Sequence, residues 1–155
     1  MTGSTFTFID DDRQSALVLD FARIEALVSY VFEQGGFECG TIELVALEPE
    51  PMHRVNVEFL GHDYPTDVLA FALDEDRAAK RLDASIIICT QVAIDMAKEY
   101  NWSAQNEAAL YFVHGALHLV GYDDHTPENA PLMHAKEVEA LATVGIDASR
   151  SRLGE

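Results

Sequence analysis

Hydrophobic side chains recur with two different spacings along the first half of the chain. Where they alternate with polar residues or form a short apolar run, a β-strand is predicted, and where they recur every three or four residues, an amphipathic helix is predicted. Gly35 and Gly36 close the longest helical pattern, as glycine often does. These patterns predict strands at residues 5–9, 41–47 and 67–73 and helices at residues 15–34 and 52–60.

The second half is mainly helical after one further strand. Residues 74–83 are charged and are expected to form an exposed loop. The helix that follows Ser103 is apolar almost all round, so we expect it to be buried, and Gly121 is placed to end it. The pattern here predicts a strand at residues 85–89 and helices at residues 90–100, 103–120 and about 126–143, followed by a frayed tail.

Strands and helices mix along the chain with short connections, which predicts one α/β (α+β) domain. We expect a small mixed sheet covered by about five helices. The length of 155 residues fits one domain with its own core, and an apolar fraction of 48% is ordinary for a globular protein. The predicted domain spans residues 1–146, and residues 147–155 are expected to form a C-terminal tail.

The net charge of −17, from ten basic and 27 acidic residues, restricts the partners. Proteins that bind nucleic acid through its phosphates normally carry a basic face. Strong non-specific binding of nucleic acid is therefore not expected, and DNA is not a predicted partner. An acidic surface aids solubility and suits a basic partner such as a ribosomal protein. The only basic cluster, Arg77, Lys80 and Arg81, is expected to be a solvated loop, with a weak RNA contact as the alternative.

Other bulk features indicate a cytoplasmic protein without a membrane span. The first twelve residues are polar and acidic, unlike a signal peptide, and no apolar stretch approaches the ~20 residues that a membrane span needs. Cys39 and Cys89 do not form a metal-binding or disulfide pattern and are predicted to be buried free thiols. Trp102 is predicted to be a packing anchor rather than a base-stacking platform.

His114 and His118 are the strongest candidates for chemistry. Their spacing places both imidazoles on one face of the buried helix, as two ligands of one metal require. Two core histidines with local hydrogen bonds are the alternative. Beyond the turn at Gly121 come further ligand types, and we predict that Asp124 or His125 completes a zinc site, with nickel or manganese as alternative metals.

The pattern is not that of a zinc protease. In the H-E-x-x-H motif the second residue is the general base, and here that position is Gly115. Three protein ligands nevertheless leave a fourth position on zinc open for water, which is typical of catalytic rather than structural sites.

Two stretches of the sequence are similar to motifs of a known family. Residues 114–123, His-Gly-Ala-Leu-His-Leu-Val-Gly-Tyr-Asp, resemble the signature of the YbeY family, bacterial metal-dependent endoribonucleases that mature ribosomal RNA. Residues 63–71, Asp-Tyr-Pro-Thr-Asp-Val-Leu-Ala-Phe, preceded by Asn56, resemble that family's Asn…Asp-x-Pro-Thr-Asp-Val-Leu-Ser-Phe segment. The motifs occur in the family's order and at about its separation.

The resemblance implies a fold and an activity. It implies helices packed around a small mixed sheet, with a zincin-like metal site at one edge of a cleft and zinc bound by the three histidines of H-x3-H-x5-H. It also implies cleavage of single-stranded RNA, chiefly in forming the 3′ end of small-subunit ribosomal RNA, and a part in ribosome quality control. The implied partners are ribosomal RNA and the small ribosomal subunit.

The third ligand departs from the family pattern. Asp124 stands six residues after His118, where the family has its third histidine, and His125 follows it. Aligned without a gap, Asp124 is the ligand, and Met133, nine residues later, agrees with that alignment. With a one-residue insertion, His125 would bind instead.

Further departures affect catalysis more than metal binding. Leu60 stands where the family has an Arg, and the resemblance implies that this Arg contacts the phosphate of the substrate during catalysis. His62 or Arg54 is a candidate to take over that role. Ala84-Ser85 replaces a Gly-Asp or Gly-Glu pair, so a cleft carboxylate is missing. The changes to alanine at positions 70 and 72 are mild.

His62 and Asp67 are the candidate catalytic residues. His62 suits proton transfer or a phosphate contact in the cleft, and a surface histidine is the alternative. Asp67 suits a carboxylate that orients a metal-bound histidine, and a residue that closes a turn is the alternative. Asp63 has the same two interpretations.

Three functional hypotheses remain open on the sequence. The leading one is a metal-dependent endoribonuclease that acts on ribosomal RNA. The second is a non-catalytic ribosome-assembly factor in which the metal ties the last two helices together, and the replacements at Leu60 and Ala84-Ser85 favour it. The third is a hydrolase of another phosphate ester or an amide, which depends only on the open metal position.

Overall fold

The computed structural model describes residues 4–60 and 68–148. Within these ranges the chain forms four strands and five helices, with one hydrophobic core on each face of the sheet. In chain order they are β1 (Thr5–Asp12), α1 (Phe21–Gln34), β2 (Cys39–Leu47), α2 (Pro49–Leu60), β3 (Val68–Asp76), β4 (Arg81–Cys89), α3 (Thr90–Tyr100), α4 (Ala104–Leu119) and α5 (Asn129–Ala142).

The four strands form one mixed sheet in the order β1-β2-β4-β3. β1 and β2 are parallel, as are β2 and β4, whereas β3 and β4 are antiparallel. The α+β class and the mixed sheet predicted from the pattern are therefore confirmed. β3 lies at one edge of the sheet and begins beside α4, so this edge borders the helix that carries the histidine pair.

One face of the sheet packs against α1 and α4. Alternate residues of β2 and β4 are fully buried on this face because side chains of a strand point to opposite sides in turn. α4 contacts β3, β4, α1, α3 and α5, and ten of its residues are buried, as its apolar sequence predicts. The central residues of this core include Phe32, Ile42, Leu44, Ile86, Ile88 and Phe112.

A smaller core lies on the opposite face of the sheet, under α2. Met52 of α2 is fully buried there against Val45 and Leu47 of β2, Leu69 of β3 and Cys89 of β4. Cys89 is thus buried as predicted, whereas Cys39 is only half-buried; both are free thiols. Among the described helices, none has both the length and the apolar character to cross a bilayer.

Several predicted boundaries were wrong, and two of them have an identifiable physical cause. α1 begins at Phe21 rather than Ser15 because the side chain of Asp20 accepts a hydrogen bond from the Arg23 amide at 3.2 Å and caps the helix. Residues 74–80 are exposed, as expected, but Leu82 is fully buried, and residues 74–76 and 81–83 belong to a β3–β4 hairpin rather than to a loop. A register shift between Ala72 and Asp74 interrupts the alternation that identifies a strand.

Candidate metal centre

The histidine pair lies in the last turns of α4, and a glycine turn sends the chain back toward it. Gly121 has φ +108°, a conformation that favours glycine. Its amide donates to the His118 carbonyl at 3.1 Å, and the amide of Tyr122 donates to the Leu117 carbonyl at 3.0 Å. These two bonds define a Schellman motif, which ends the helix and directs the following residues onto its histidine-bearing face.

Asp124, on this returning segment, converges with the histidines. The Nε2 atoms of His114 and His118 lie 3.1 Å apart. The carboxylate of Asp124 lies 3.7 Å from Nε2 of His114 and 3.8 Å from Nε2 of His118. Ligand atoms of tetrahedral zinc are about 3.3 Å apart, given bonds of about 2.0–2.1 Å, so the three donor atoms are spaced much as the metal requires.

His125, the alternative third ligand, occupies a different place. Its side chain is exposed, and its ring centroid lies 6.3 Å from that of His118. Its amide donates to Asp123 Oδ1 at 2.6 Å, and its side chain groups with the carboxylates of Asp123 and Asp124 rather than with the histidine pair. The geometry therefore favours Asp124, the residue that an alignment without a gap selects.

Glu137 on α5 is a further residue of this centre, and the sequence analysis missed it. Its Oε2 atom lies 2.7 Å from Nδ1 of His114, and its side chain is only 3% exposed. A signal was present, since Glu137 shares the buried face of α5 with Met133, Ala140 and Leu141. A buried carboxylate at such a position needs a partner, and the histidines of α4 were candidates for it.

The environment of His118 favours its neutral imidazole. Burial lowers the pKa of His118 below its ordinary value, and the neighbouring imidazole of His114 lowers it further. The carboxylate of Asp124 and a hydrogen bond with the Tyr122 backbone raise this pKa, but by less than burial and His114 lower it. Neutral imidazole is the form that binds metal, so His118 is ready to serve as a ligand at neutral pH.

Gly115 allows α4 to lie directly on the sheet beneath the centre. A Cβ atom at this position would stand 2.8 Å from Cγ2 of Ile86 and 3.2 Å from Cγ2 of Val68. A larger side chain there would collide with these side chains of the sheet, and they or the helix would have to shift. The glutamate of a zinc protease motif is therefore excluded sterically as well as by sequence.

Several predicted site residues lie outside the described residues, namely His62, Asp63 and Asp67. Asn56, which belongs to the same motif, is fully buried on α2, and its Nδ2 donates to the Met52 carbonyl at 3.3 Å. Ser85, which stands where the family has a carboxylate, is buried, and its side chain lies on the opposite face of the sheet from that of Ile86. In the sheet Ser85 pairs with Glu43 of β2 and Phe71 of β3.

The basic cluster at the tip of the β3–β4 hairpin is engaged within the molecule. Arg77 stacks over the ring of Phe37 at 4.4 Å and donates to the Gly35 carbonyl at 3.1 Å. Its Nε atom also lies 3.1 Å from Glu75, the Lys80 ammonium lies 3.0 Å from Glu38, and Arg81 lies 2.9 Å from Asp83. The cluster joins the hairpin to the α1–β2 turn, which leaves little charge for a phosphate backbone.

Trp102 has the packing role that its sequence position predicts. It is half-buried against the main core, and its indole Nε1 donates to Oε1 of Glu107 at 2.7 Å. Glu107 is itself fully buried in the first turn of α4. The indole therefore provides a partner for a buried carboxylate rather than a free surface for stacking a base.

A family model and several curated relatives that match this chain carry the same description. The model of the family described as "Endoribonuclease YbeY" matches residues 9–145. The curated endoribonuclease YbeY of Bacillus licheniformis is 34% identical over 138 residues, covering 83% of this chain and 87% of that protein. The corresponding protein of Bacillus subtilis is 32% identical over 136 residues, covering 81% and 87%.

A solved structure shares the fold. The solution structure of a protein from Thermotoga maritima superposes with a TM-score of 0.60 at 22% sequence identity, over 90% of this chain and 89% of that one. The arrangement of the mixed sheet and its helices thus has a counterpart among known structures.

Proposed function

Because the chain belongs to the YbeY family of endoribonucleases, we propose that it is a metal-dependent endoribonuclease that cleaves single-stranded ribosomal RNA. The proposed role is formation of the 3′ end of small-subunit ribosomal RNA, together with ribosome quality control. The observation that carries this proposal is the convergence of His114, His118 and Asp124 on one point at the end of α4. Such a donor set, with one position left open, is that of a catalytic rather than a structural zinc site.

We propose zinc as the metal, with nickel or manganese as alternatives. Two imidazoles and a carboxylate are donors that zinc accepts well. The bound metal would supply Lewis-acid stabilisation of the charge that develops on a phosphodiester. With Asp124 in place of a third histidine, the ligands carry one more negative charge, which reduces the positive charge available to phosphate.

His62 and Asp67 are the proposed catalytic residues of the cleft on sequence grounds. His62 would transfer a proton or contact phosphate. It would thereby take over part of the role of the family Arg, whose position Leu60 occupies. Asp67 would orient a metal-bound histidine. In the described structure Glu137 already has this orienting position at His114, so the proposed role of Asp67 would concern His118 or the substrate.

The charge distribution supports a substrate presented by the ribosome. Most described cations are paired with carboxylates, namely Arg13, Arg54, Arg77, Lys80, Arg81 and Lys136. Affinity for RNA comes largely from cations that contact phosphates, so this surface would hold free RNA weakly. We therefore propose the small ribosomal subunit as the partner, with a basic ribosomal protein meeting the acidic surface.

A cleavage assay tests the proposal. Single-stranded RNA ending in the small-subunit 3′ sequence is incubated with zinc-loaded protein, with metal-free protein and with the variant His114→Ala. His134→Ala, at an exposed histidine of α5, is the matched control. We expect cleavage by the zinc-loaded wild type and the control only.

The second candidate, a non-catalytic assembly factor, predicts a different result. It is favoured by Leu60 and Ala84-Ser85, and by the link between α4 and α5 that the His114–Glu137 contact provides. Absence of metal-dependent cleavage, with ribosome binding intact, would support it and overturn the nuclease.

A further inference from the structure

Glu137 is a buried carboxylate among apolar neighbours. Met133, Ala140 and Leu141 share its face of α5, and its side chain is 3% exposed. Removing a carboxylate from water costs several kcal/mol unless a partner compensates. The partner seen here is Nδ1 of His114, at 2.7 Å.

The position of this contact on the imidazole is specific. Glu137 meets Nδ1, whereas the opposite ring nitrogen, Nε2, faces His118 and Asp124. A carboxylate can only accept a hydrogen bond, so Nδ1 must carry the proton. In a neutral imidazole Nε2 then carries no proton, and its lone pair points at the place where the donors converge.

We propose that Glu137 is a positioning residue for the metal centre, which fixes the tautomer and the ring orientation of His114 so that Nε2 binds the metal. This inference rests on the proposed function only as far as the metal site. The carboxylate also makes the imidazole a better donor, as carboxylate–histidine pairs do at metal sites in general. α5 thus contributes to metal affinity although it supplies no ligand.

A purely structural role is the competing explanation. In that case the Glu137–His114 pair would join α4 to α5 and stabilise the fold, and zinc affinity would not depend on it. The two roles separate when zinc affinity and the stability of the metal-free protein are measured on the same variants.

The test uses Glu137→Gln and Glu137→Met in the full-length protein, with Glu139→Gln as control. Glu139 lies on the same helix but is exposed and pairs with Tyr30. Glutamine keeps an oxygen that accepts from Nδ1–H but loses the charge, and methionine loses both. Zinc affinity is measured by competition with a chromophoric chelator, ligand geometry by the absorption spectrum of the cobalt-substituted protein, and stability of the metal-free form by urea unfolding.

We expect zinc affinity to fall about tenfold in Glu137→Gln and toward a hundredfold in Glu137→Met, with an altered cobalt spectrum in the latter. The control should match the wild type. Wild-type zinc affinity in Glu137→Gln would overturn the proposal, even if Glu137→Met fails to fold. Zinc binding that weakens as expected in a protein that does not cleave RNA would overturn the nuclease and leave the role of Glu137 standing.

Discussion

Gly115 of α4 lies so close to Ile86 of β4 that a Cβ atom at Gly115 would stand 2.8 Å from the Ile86 Cγ2 atom. Contacts of this length are shorter than side chains tolerate, so the helix and the sheet fix one another's position here. His114 immediately precedes this glycine. The position of the metal centre relative to the sheet therefore depends on Gly115 having no side chain.

Gly115→Ala should destabilise the protein. Alanine favours a helix over glycine by about 1 kcal/mol, but overpacking against Ile86 costs about 1–3 kcal/mol, so the net loss is on the order of 1 kcal/mol. Urea unfolding of the metal-free protein measures it. In a double-mutant cycle, Ile86→Ala should cost less in the Gly115→Ala background than in the wild type. Independent, additive effects would contradict a steric cause.

Asp124→Ala should lose bound zinc, whereas His125→Ala should retain it. The carboxylate of Asp124 lies within 4 Å of both histidine Nε2 atoms, and the imidazole of His125 is exposed beside them. Metal analysis of the purified variants after dialysis against a weak chelator checks this, and Asp123→Ala serves as a control for the loss of a neighbouring charge. Full zinc content in Asp124→Ala would exclude it as the third ligand.

Zinc should stabilise the folded protein through its binding energy. A ligand at about a hundredfold above its Kd adds about 2.7 kcal/mol to the unfolding free energy. For a chain of this size that raises Tm by roughly 5–10 °C. Calorimetry with zinc and with EDTA measures the shift, which should vanish in His118→Ala. An equal shift in that variant would place the stabilising metal elsewhere.

The contact between Glu25 of α1 and Asp10 of β1 should make stability depend on pH. A hydrogen bond with the Asp10 carboxyl, assisted by partial burial, raises the pKa of Glu25 from 4.5 to about 7. Between these values the folded protein holds a proton that the unfolded chain releases. This contribution is therefore complete below pH 4.5 and is lost as the pH rises through about 7.

Glu25→Gln should accordingly reduce the loss of stability between pH 5 and pH 8. Urea unfolding at several pH values, compared with Glu33→Gln on the same helix, isolates the effect. A pH profile in Glu25→Gln that is identical to that of the wild type would show that the two carboxyls do not share a proton.

Binding of free single-stranded RNA should depend only weakly on salt. The slope of log affinity against log salt reflects the number of phosphates that cations neutralise, at about 0.7 per phosphate for single strands. Because the hairpin cations Arg77, Lys80 and Arg81 are already paired, we expect a slope on the order of −1. A fluorescence titration from low to moderate salt measures it, and a slope several times steeper would reveal a cationic RNA surface.

Most of the architecture follows from local sequence patterns, and the exceptions have physical reasons. The apolar stretch of α4 and the glycine after it predict both the buried helix and the turn that returns Asp124. The start of α1 depends on the cap at Asp20, which was not recognised. The ends of β3 and β4 were hidden by charged residues and by the register shift after Ala72, since exposed edges of a hairpin need no apolar alternation.

The centre itself was predictable only in part. The spacing of His114 and His118 on one helix is a local property that the sequence displays directly. Glu137 joins them through the packing of α5 on α4, which no local pattern specifies. The choice between Asp124 and His125 depends on the path of the chain after Gly121, where one residue more or less changes which side chain faces the histidines.

The metal centre is built from elements that follow one another in the chain, namely α4, the turn at Gly121 and α5. The parallel strands, in contrast, are distant in sequence, since Thr5 pairs with Cys39 and Cys39 with Arg81. Closing a loop costs entropy that grows with its length, so contacts between neighbouring helices form at less cost than pairing of distant parallel strands. The contacts of the metal-binding unit therefore span shorter stretches of chain than the parallel strand pairs of the sheet do. We therefore expect the metal-binding helices to associate at a lower entropic cost than the parallel strands β1, β2 and β4.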